Sequence, residues 1–451
     1  MNKKKIDWYS MASELHYKYG GKIEIVPKVP VLKLEDFSIW YTPGVAGPCE
    51  KIYREGKDLS FEYTLRWNYV AVISDGTRVL GLGDIGPEAA MPVMEGKALL
   101  FKYLGNVDAI PIVLGTKDSD KFVEIVKLLE PSFGAINLED IESPKCFYIL
   151  EKLTEILEIP VWHDDQQGTA LVTLAGFINA LKVVGKEISN IRVTIVGAGA
   201  GGLAITKYLI KAGVNPKNII LVDSKGILYS DREDLKKTDV WLKWKKYYAE
   251  ITNEERRIGG IPEAMKDVDV LISIAKPGPG IIKKEWIKLM KENPIVFALA
   301  NPIPEIWPWE AKEAGAKIVA TGRSDFPNQI NNSLGFPAVF RGVLTVRAKK
   351  MTDPMFLAAA YAIAKYTEKT NINENRIVPT MEEPEVYIEE AIAVAEKAIE
   401  EGVARRKLSR SELKADIREL IYRPKKYMKI ATKNDFILKY PQYQDIKFVK
   451  E

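Results

Sequence analysis

The sequence predicts an α/β protein with two domains built on mainly parallel sheets, followed by C-terminal helices. Short runs rich in β-branched residues alternate with longer amphipathic stretches, first from Val70 and again from Arg192, as strands alternate with helices in this class. A chain of 451 residues exceeds one typical domain. We expect the domains over residues 1–165 and 166–350, and helices with a tail over 351–451.

In the first domain, acidic residues follow several of the predicted strands. The apolar runs are VAVIS from Val70, AIPIVLG from Ala109, GAINLED from Gly134 and PVWHDD from Pro160. Asp75, the pair Glu139 and Asp140, and the pair Asp164 and Asp165 stand where strands end. Ligands bind at that edge of an open α/β sheet, so we expect a site there.

Composition argues against several classes of function. Lys and Arg number 65 against 61 Asp and Glu, and the basic residues are dispersed, which does not favour nucleic-acid binding. No run of about 18 apolar residues occurs, and residues 1–5 lack a signal-peptide core. We expect a soluble cytoplasmic protein with no membrane partner. Cys49 and Cys146 form no disulfide framework or metal motif, and both are expected in the core.

A glycine turn in the second domain predicts a dinucleotide site in a doubly wound, Rossmann-type fold. The strand-like run from Val193 is followed by Gly197, Gly199, Gly201 and Gly202 and then by a helical run. Gly197 permits the tight turn, Gly199 permits close approach of a pyrophosphate, and Gly202 permits close helix packing. A turn formed by glycines only for packing is the alternative.

The next predicted strand ends in Asp223, about 20 residues beyond the turn, where a carboxylate accepts a hydrogen bond from the ribose 2′-hydroxyl. Such a carboxylate repels a 2′-phosphate and therefore favours NAD over NADP. However, Ser224, Lys225 and Arg232 follow closely and would accommodate that phosphate if the carboxylate turned away. NADP therefore stays open.

Three of the strand-end acids, Glu139, Asp140 and Asp165, offer hard oxygen ligands. The chain has only two histidines, His16 and His163, so the set suits Mg²⁺ or Mn²⁺ better than zinc. Acids after strands also serve as helix N-caps or solvated loop charges. The spacing alone leaves both interpretations open.

Several longer motifs resemble those of the malic enzymes, in particular the compact prokaryotic type. The similarity covers roughly residues 35–350, and the segments stand in the order expected for that family. They are YTPGVA at 41–46, DGTRVLGLGDIG at 75–86, PVMEGK at 92–97, NLED at 137–140, WHDDQQGT at 162–169, ALANP at 298–302 and NQINN at 328–332. The resemblance implies oxidative decarboxylation of (S)-malate to pyruvate and CO₂, with reduction of NAD(P) and a bound Mg²⁺ or Mn²⁺. It also implies a homo-oligomer, a dimer or a tetramer.

The resemblance further implies a role for individual residues. Glu139, Asp140 and Asp165 would hold the metal. Lys97 would be the general base, which requires a pKa lowered toward neutrality, and Tyr41 the acid that protonates the enol. An ordinary surface lysine and a packed tyrosine are the alternatives.

Asp164 would orient the site or assist the base; its alternative is a helix N-cap. By motif position, Arg78 would bind a substrate carboxylate, unless it merely pairs with Asp75. Substrate would be bound by Asn301, Asn331 and Asn332, and Asn301 would also contact the nicotinamide. These asparagines are alternatively turn or loop residues.

Two other functions remain open from the sequence. A metal-independent NAD-dependent hydroxy- or amino-acid dehydrogenase would use the same turn without the three acids, and a metal requirement distinguishes it. A non-catalytic nucleotide-sensing protein would show no turnover with malate, Mn²⁺ and either cofactor.

Overall fold

The structure is a computed structural model that describes residues 8–237 and 239–437. From residue 8 onward, four α-helices precede the first strand, and we call residues 8–55 the N-terminal arm. They are α1 (Trp8–Tyr19), α2 (Phe37–Trp40), α3 (Ala46–Glu55) and α4 (Ser60–Tyr63). Only Met11 of α1 is buried in the arm's helices, and α2 and α3 bury no residue.

The first sheet has four parallel strands in the order β2-β1-β3-β4. Its elements are β1 (Tyr69–Ser74), α5 (Pro87–Gly105), β2 (Asp108–Val113), α6 (Ser119–Leu129), β3 (Ala135–Leu138), α7 (Lys145–Ile156) and β4 (Val161–His163). The register places Leu138 of β3 beside Ile73 of β1 and His163 of β4. The carboxyl ends of β1, β3 and β4 therefore lie next to one another.

The second sheet has six strands in the order β10-β9-β8-β5-β6-β7, and only β7 is antiparallel to its neighbour. Its elements are β5 (Val193–Val196), α9 (Ala200–Lys211), β6 (Ile219–Asp223), β7 (Gly226–Ile227), α10 (Lys243–Ile251), α11 (Ile261–Met265), β8 (Val270–Ser273), α12 (Lys284–Ile287), β9 (Ile295–Ala298), α13 (Pro308–Glu313) and β10 (Ile318–Thr321). Strand β5 lies centrally, at the point where the strand order reverses, which is where such sheets bind nucleotides.

Helix α8 (Thr169–Val184) connects the two sheets and packs on α9. Residues 164–184 are long and apolar enough to cross a membrane by composition, but 67% of that window is buried inside the protein. The apolar character of α8 therefore reflects its place in the core. The cytoplasmic location stays a prediction.

As far as residue 437, four α-helices follow the second sheet: α14 (Phe336–Thr345), α15 (Asp353–Lys369), α16 (Pro384–Glu400) and α17 (Arg410–Lys433). Helix α15 packs on α8 and α16, whereas α14 and α17 return to α5 of the first sheet. The expected two-sheet α/β architecture with C-terminal helices is confirmed. The domain boundaries at 165 and 350 stay a prediction.

Two expectations differ from the structure. From about Arg423 the sequence predicts a charged tail, but α17 continues through Pro424 to Lys433, because Pro424 and Ala431 are buried like Leu413, Ile417 and Ile421 before them. Cys146 is buried as expected, but Cys49 is exposed, because α3 contributes nothing to the core.

We predict that Leu174→Ala destabilises the protein by about 2–5 kcal/mol, the usual cost of emptying a buried leucine site. Leu174 lies in α8 and is 1% exposed. Urea denaturation followed by circular dichroism measures the change. The control is Leu128→Ala in α6, where the side chain is 73% exposed, and an equal effect of both substitutions would contradict the central packing of α8.

Candidate active site

A buried cluster of charges joins α5 to the carboxyl ends of β3 and β4. The Nζ atom of Lys97 donates a hydrogen bond to Oδ2 of Asp164 at 2.5 Å and lies 3.1 Å from Oε1 of Glu139. Asp164 is completely buried, and Lys97 and Glu139 are nearly so. Lys97 also lies 4.3 Å from the ring centroid of Phe336. The lysine is held on all sides and is not a surface residue.

The pKa of Lys97 is shifted in the direction opposite to the one expected from the sequence. Burial disfavours the ammonium charge, but the carboxylates of Asp164 and Glu139 outweigh it and raise the pKa of Lys97 above its ordinary value. Lys97 therefore carries a proton in this arrangement. The expectation of a lowered pKa considered burial and a cation but omitted these two partners.

Asp164 is the centre of the hydrogen bonds in this cluster. Besides Lys97, it accepts hydrogen bonds from Nε1 of Trp162 at 3.0 Å and from the side-chain amide of Asn332 at 2.7 Å. Within the described part of the chain it accepts none from a helix backbone, so the N-cap interpretation is wrong. Trp162 was not singled out from the sequence, although it stands two residues before Asp164 at the end of the same strand.

The three predicted metal ligands are adjacent in space. Glu139, Asp140 and Asp165 each offer a carboxylate oxygen, and these oxygens lie within 4.8 Å of one another. Oδ2 of Asp140 is buried and has no hydrogen-bond partner among the described residues. One Glu139 oxygen is fixed by the amide of Asn137 at 2.9 Å, a contact that sequence reasoning missed.

The electrostatics of these acids fit a divalent cation. Burial, and then the neighbouring Asp165 carboxylate, raise the pKa of Asp140 to about 8. Burial also raises the pKa of Glu139 well above its ordinary value, although Lys97 acts in the opposite direction. Carboxylates crowded in this way repel one another, and a hard cation would relieve that repulsion.

The remaining predicted substrate residues line one cavity of about 630 Å³ together with Lys97 and the three acids. They are Arg78, Asn301, Asn331 and Asn332. Asn331 also accepts a hydrogen bond from the backbone amide of Ser333 at 2.9 Å, so its side-chain oxygen fixes the local turn. The neighbouring asparagines thus have different partners: Asn331 contacts Ser333, and Asn332 contacts Asp164.

The alternative pairing of Arg78 with Asp75 is wrong. Asp75 is 2.7 Å from the Lys145 ammonium and accepts hydrogen bonds from the backbone and hydroxyl of Thr77. Among the described residues, the Arg78 side chain donates only to the backbone oxygen of Leu80, and it is exposed. Its guanidinium is therefore available to an anion in the cavity.

Tyr41 is not brought to this cavity within the chain. It follows α2 in the N-terminal arm, is 69% exposed and does not line the cavity that contains Lys97. Its neighbours Phe37, Ile39 and Trp40 are also exposed. The motif position that suggested a role for Tyr41 gives no information about where the arm lies.

The glycine turn lines both this cavity and a larger one of about 1050 Å³ through Gly197 and Gly199. Gly197 has φ 112°, and a Cβ on Gly202 would lie 1.7 Å from the oxygen of Gly197. A Cβ on Gly201 would contact the side chain of Ile274 at 2.8 Å. By contrast, nothing lies within 4 Å of a Cβ on Gly199, so the backbone there is open to a ligand at the start of α9.

At the end of β6, Asp223 lines the larger cavity but is already bound by its neighbours. Arg232 donates two hydrogen bonds to it at 2.9 and 2.8 Å, and Lys245 donates one at 3.0 Å. Burial opposes the carboxylate charge, but these donors lower the pKa of Asp223 to about 2. Lys245, on α10, was not identified from the sequence.

Comparison with known proteins agrees with this geometry. The malic enzyme N-terminal domain matches residues 20–154, and the malic enzyme NAD-binding domain matches residues 166–399. A bifunctional malic/malolactic enzyme of Bacillus subtilis is 48% identical over 91% of this chain and 97% of its own. The NAD-dependent malic enzyme of Geobacillus stearothermophilus is 49% identical over 86% of this chain and 78% of its own.

Solved structures and a longer relative extend the comparison. The crystal structure of the Entamoeba histolytica malic enzyme matches with a TM-score of 0.93 at 48% sequence identity, over 96% of this chain and 90% of that one. The malic enzyme of Pyrococcus horikoshii matches with a TM-score of 0.89 at 51% identity, over 94% of this chain and 99% of that one. The NADP-dependent malic enzyme of Escherichia coli is 41% identical over 91% of this chain but only 54% of its own. Both domain matches, the identities and the fold agree: the chain belongs to the malic enzyme family and is an NAD(P)-dependent oxidoreductase.

Proposed function

We propose that the chain catalyses the oxidative decarboxylation of (S)-malate to pyruvate and CO₂, with one hydride transferred from C2 to NAD(P)⁺. The observation that carries this proposal is the contact of Lys97 with Asp164 and Glu139 beside the three-acid cluster. A metal-independent dehydrogenase has no use for these clustered acids. A divalent ion held by Glu139, Asp140 and Asp165 would supply Lewis-acid stabilisation of negative charge on the substrate oxygen.

Lys97 and Asp164 act together on the proton of the substrate hydroxyl. The carboxylates that raise the pKa of Lys97 oppose its action as a base, and a divalent ion at Glu139, Asp140 and Asp165 would offset their charge. Lys97 would then lose its proton to solvent and, as a neutral amine, take the C2 hydroxyl proton as hydride departs. Trp162 and Asn332 hold Asp164 in position through their own hydrogen bonds, and Asp164 in turn orients the Lys97 amine.

Substrate charge is balanced by residues of the same cavity. Malate is a dianion, and the exposed guanidinium of Arg78 is suited to one carboxylate. Asn301 and Asn331 line the same cavity and offer amide groups to substrate and nicotinamide. Loss of CO₂ leaves an enolate whose C3 must then receive a proton.

We propose that this proton comes from Tyr41 of a second copy of the chain, in a homodimer. The arm has two helices without a buried residue, and it exposes large apolar side chains, including Leu32, Ile39 and Trp40. Large apolar side chains left exposed in number within one segment are typical of protein interfaces. A partner that covers the arm buries this surface and brings Tyr41 to a cavity that lacks it.

We predict that Lys97→Ala lowers kcat for malate oxidation by about 10²- to 10⁴-fold, since it removes the proton acceptor. NADH affinity, measured by its fluorescence, should change little. The matched control is Lys102→Ala on the same helix, where the side chain is 46% exposed and pairs with Asp108. A near-normal rate for Lys97→Ala would remove Lys97 from the mechanism.

We predict that Asp165→Asn weakens Mn²⁺ binding by roughly 10- to 100-fold, because one charged ligand is lost. Titration of Mn²⁺ by electron paramagnetic resonance measures it without turnover. Asp58→Asn, at a carboxylate that is 57% exposed and far from the acids along the chain, serves as control. Unchanged Mn²⁺ affinity would exclude Asp165 from the ligand set, and malate oxidation unaffected by chelation would exclude the metal.

We predict that two inactive variants, Tyr41→Phe and Lys97→Ala, regain about a quarter of wild-type activity when mixed and reassembled. Half of the dimers are then mixed, and each has one site with both residues intact. If Tyr41 served the site of its own chain, no mixed dimer would contain an intact site. Absence of recovery, with mixed dimers verified by tagged co-purification, would therefore refute the proposal.

A further inference from the structure

Glu305 is a completely buried acid between β9 and α13, and it supports the wall of the cavity that contains Lys97 without lining it. Its Oε1 atom accepts hydrogen bonds from the hydroxyl of Ser273 at 2.8 Å and from the backbone amide of Ala275 at 3.0 Å. Its Oε2 atom accepts one from the backbone amide of Ala300 at 3.1 Å. Burial raises the pKa of Glu305, and these donors act in the opposite direction. Each carboxylate oxygen is thus bound to a backbone amide.

The two backbone amides belong to neighbouring loops at one edge of the second sheet. Ala275 follows β8 and Ala300 follows β9, two parallel strands that lie side by side. Both alanines line the cavity, together with Pro277 in the first loop and Asn301 in the second. Because one carboxylate binds both loops, it fixes the distance between them. Glu305 therefore sets the shape of this side of the cavity.

Asn301 is held closely by its surroundings. A Cβ on Gly322 would lie 2.5 Å from Nδ2 of Asn301, so the side-chain amide packs directly against Gly322. The guanidinium of Arg323 donates a hydrogen bond to the backbone oxygen of Pro302 at 2.8 Å. The residues before and after Asn301 are thus both held, the preceding one by Glu305.

The donors around Glu305 require a carboxylate and not an amide. A carboxylate offers only acceptors, whereas the side chain of glutamine has one acceptor oxygen and one NH₂ donor. In Glu305→Gln, one of the two backbone amides would face that NH₂ group, and a buried donor left without a partner destabilises the arrangement. The substitution keeps the side-chain volume, so it would release one loop without opening a cavity.

We propose that Glu305 is a positioning residue for the nicotinamide end of the dinucleotide. It holds the loops at residues 275–277 and 299–302, and with them Asn301, in the arrangement that receives the nicotinamide ring. Because its side chain is enclosed, Glu305 acts through these loops and does not itself contact a ligand. The inference rests on the proposed function only in assigning Asn301 to the nicotinamide.

Binding measured without malate or metal tests this role separately from the reaction. The probes are NADH, titrated by its fluorescence, and ADP-ribose, which lacks only the nicotinamide and displaces NADH. We expect Glu305→Gln to raise the Kd for NADH by about tenfold and to change the Kd for ADP-ribose by less than about twofold. An unchanged Kd for NADH, or an equal rise for both probes, overturns the proposal. Failure of the proposed function is separate, because the wild-type protein would then not oxidise malate, whatever the two Kd values.

Two further variants complete the test, and circular dichroism establishes that each variant is folded. Glu313→Gln removes the same charge from α13, where the side chain is 61% exposed and pairs with Lys284, and it should change neither Kd. Gly322→Ala leaves Glu305 intact but places a Cβ 2.5 Å from the Asn301 amide, and it should raise the Kd for NADH alone. If Glu305→Gln does not fold, an unchanged ratio of the two Kd values in Gly322→Ala overturns the proposal. A change in Glu313→Gln equal to that in Glu305→Gln also overturns it.

Discussion

The buried ion pair between Lys97 and Asp164 is the interaction on which the rest of the site depends. Charges removed from water destabilise a fold unless they are paired and hydrogen-bonded, and Asp164 is completely enclosed. With Glu139, Asp140 and Asp165 close by, four carboxylates surround one ammonium group. With all four carboxylates ionised, three negative charges would be in excess, and a divalent cation would offset two of them. The raised pKa values of Asp140 and Glu139 reflect the same repulsion, and this repulsion supports the proposed metal site.

The parallel sheet makes such a concentration of charge achievable. Strands β3 and β4 end side by side, so acids that are 25 residues apart in the chain meet through the contact of the Asp140 backbone with Asp165. Helix α5 crosses back between β1 and β2 and carries Lys97 to the same edge. An antiparallel connection would have sent these strand ends to opposite edges. The proximity of these acids and Lys97 thus depends on the parallel direction of the strands.

The sequence predicts the features that depend on neighbouring residues and misses those that depend on distant ones. The glycine turn, the strands and the acids at their ends are local patterns, and the structure has the turn and strands where the patterns predict them. The sign of the Lys97 pKa shift was wrong because Asp164 lies 67 positions away. Lys245 was not identified from the sequence because it contacts Asp223 from a helix that lies 22 residues further along the chain. The position of the arm that carries Tyr41 depends on packing that a motif does not encode.

The glycine turn and the acidic cluster share one wall, which explains how cofactor and substrate meet. A Cβ on Gly201 would lie 3.3 Å from the backbone oxygen of Asp165, so a larger residue at position 201 would press on the segment after β4 that carries this acid. Gly197 and Gly199 line both cavities, Lys245 lines the larger one and Lys97 the smaller one. A dinucleotide held at the turn in the proposed way would therefore reach both cavities, and the small residues of the turn would set the distance between its nicotinamide and Lys97.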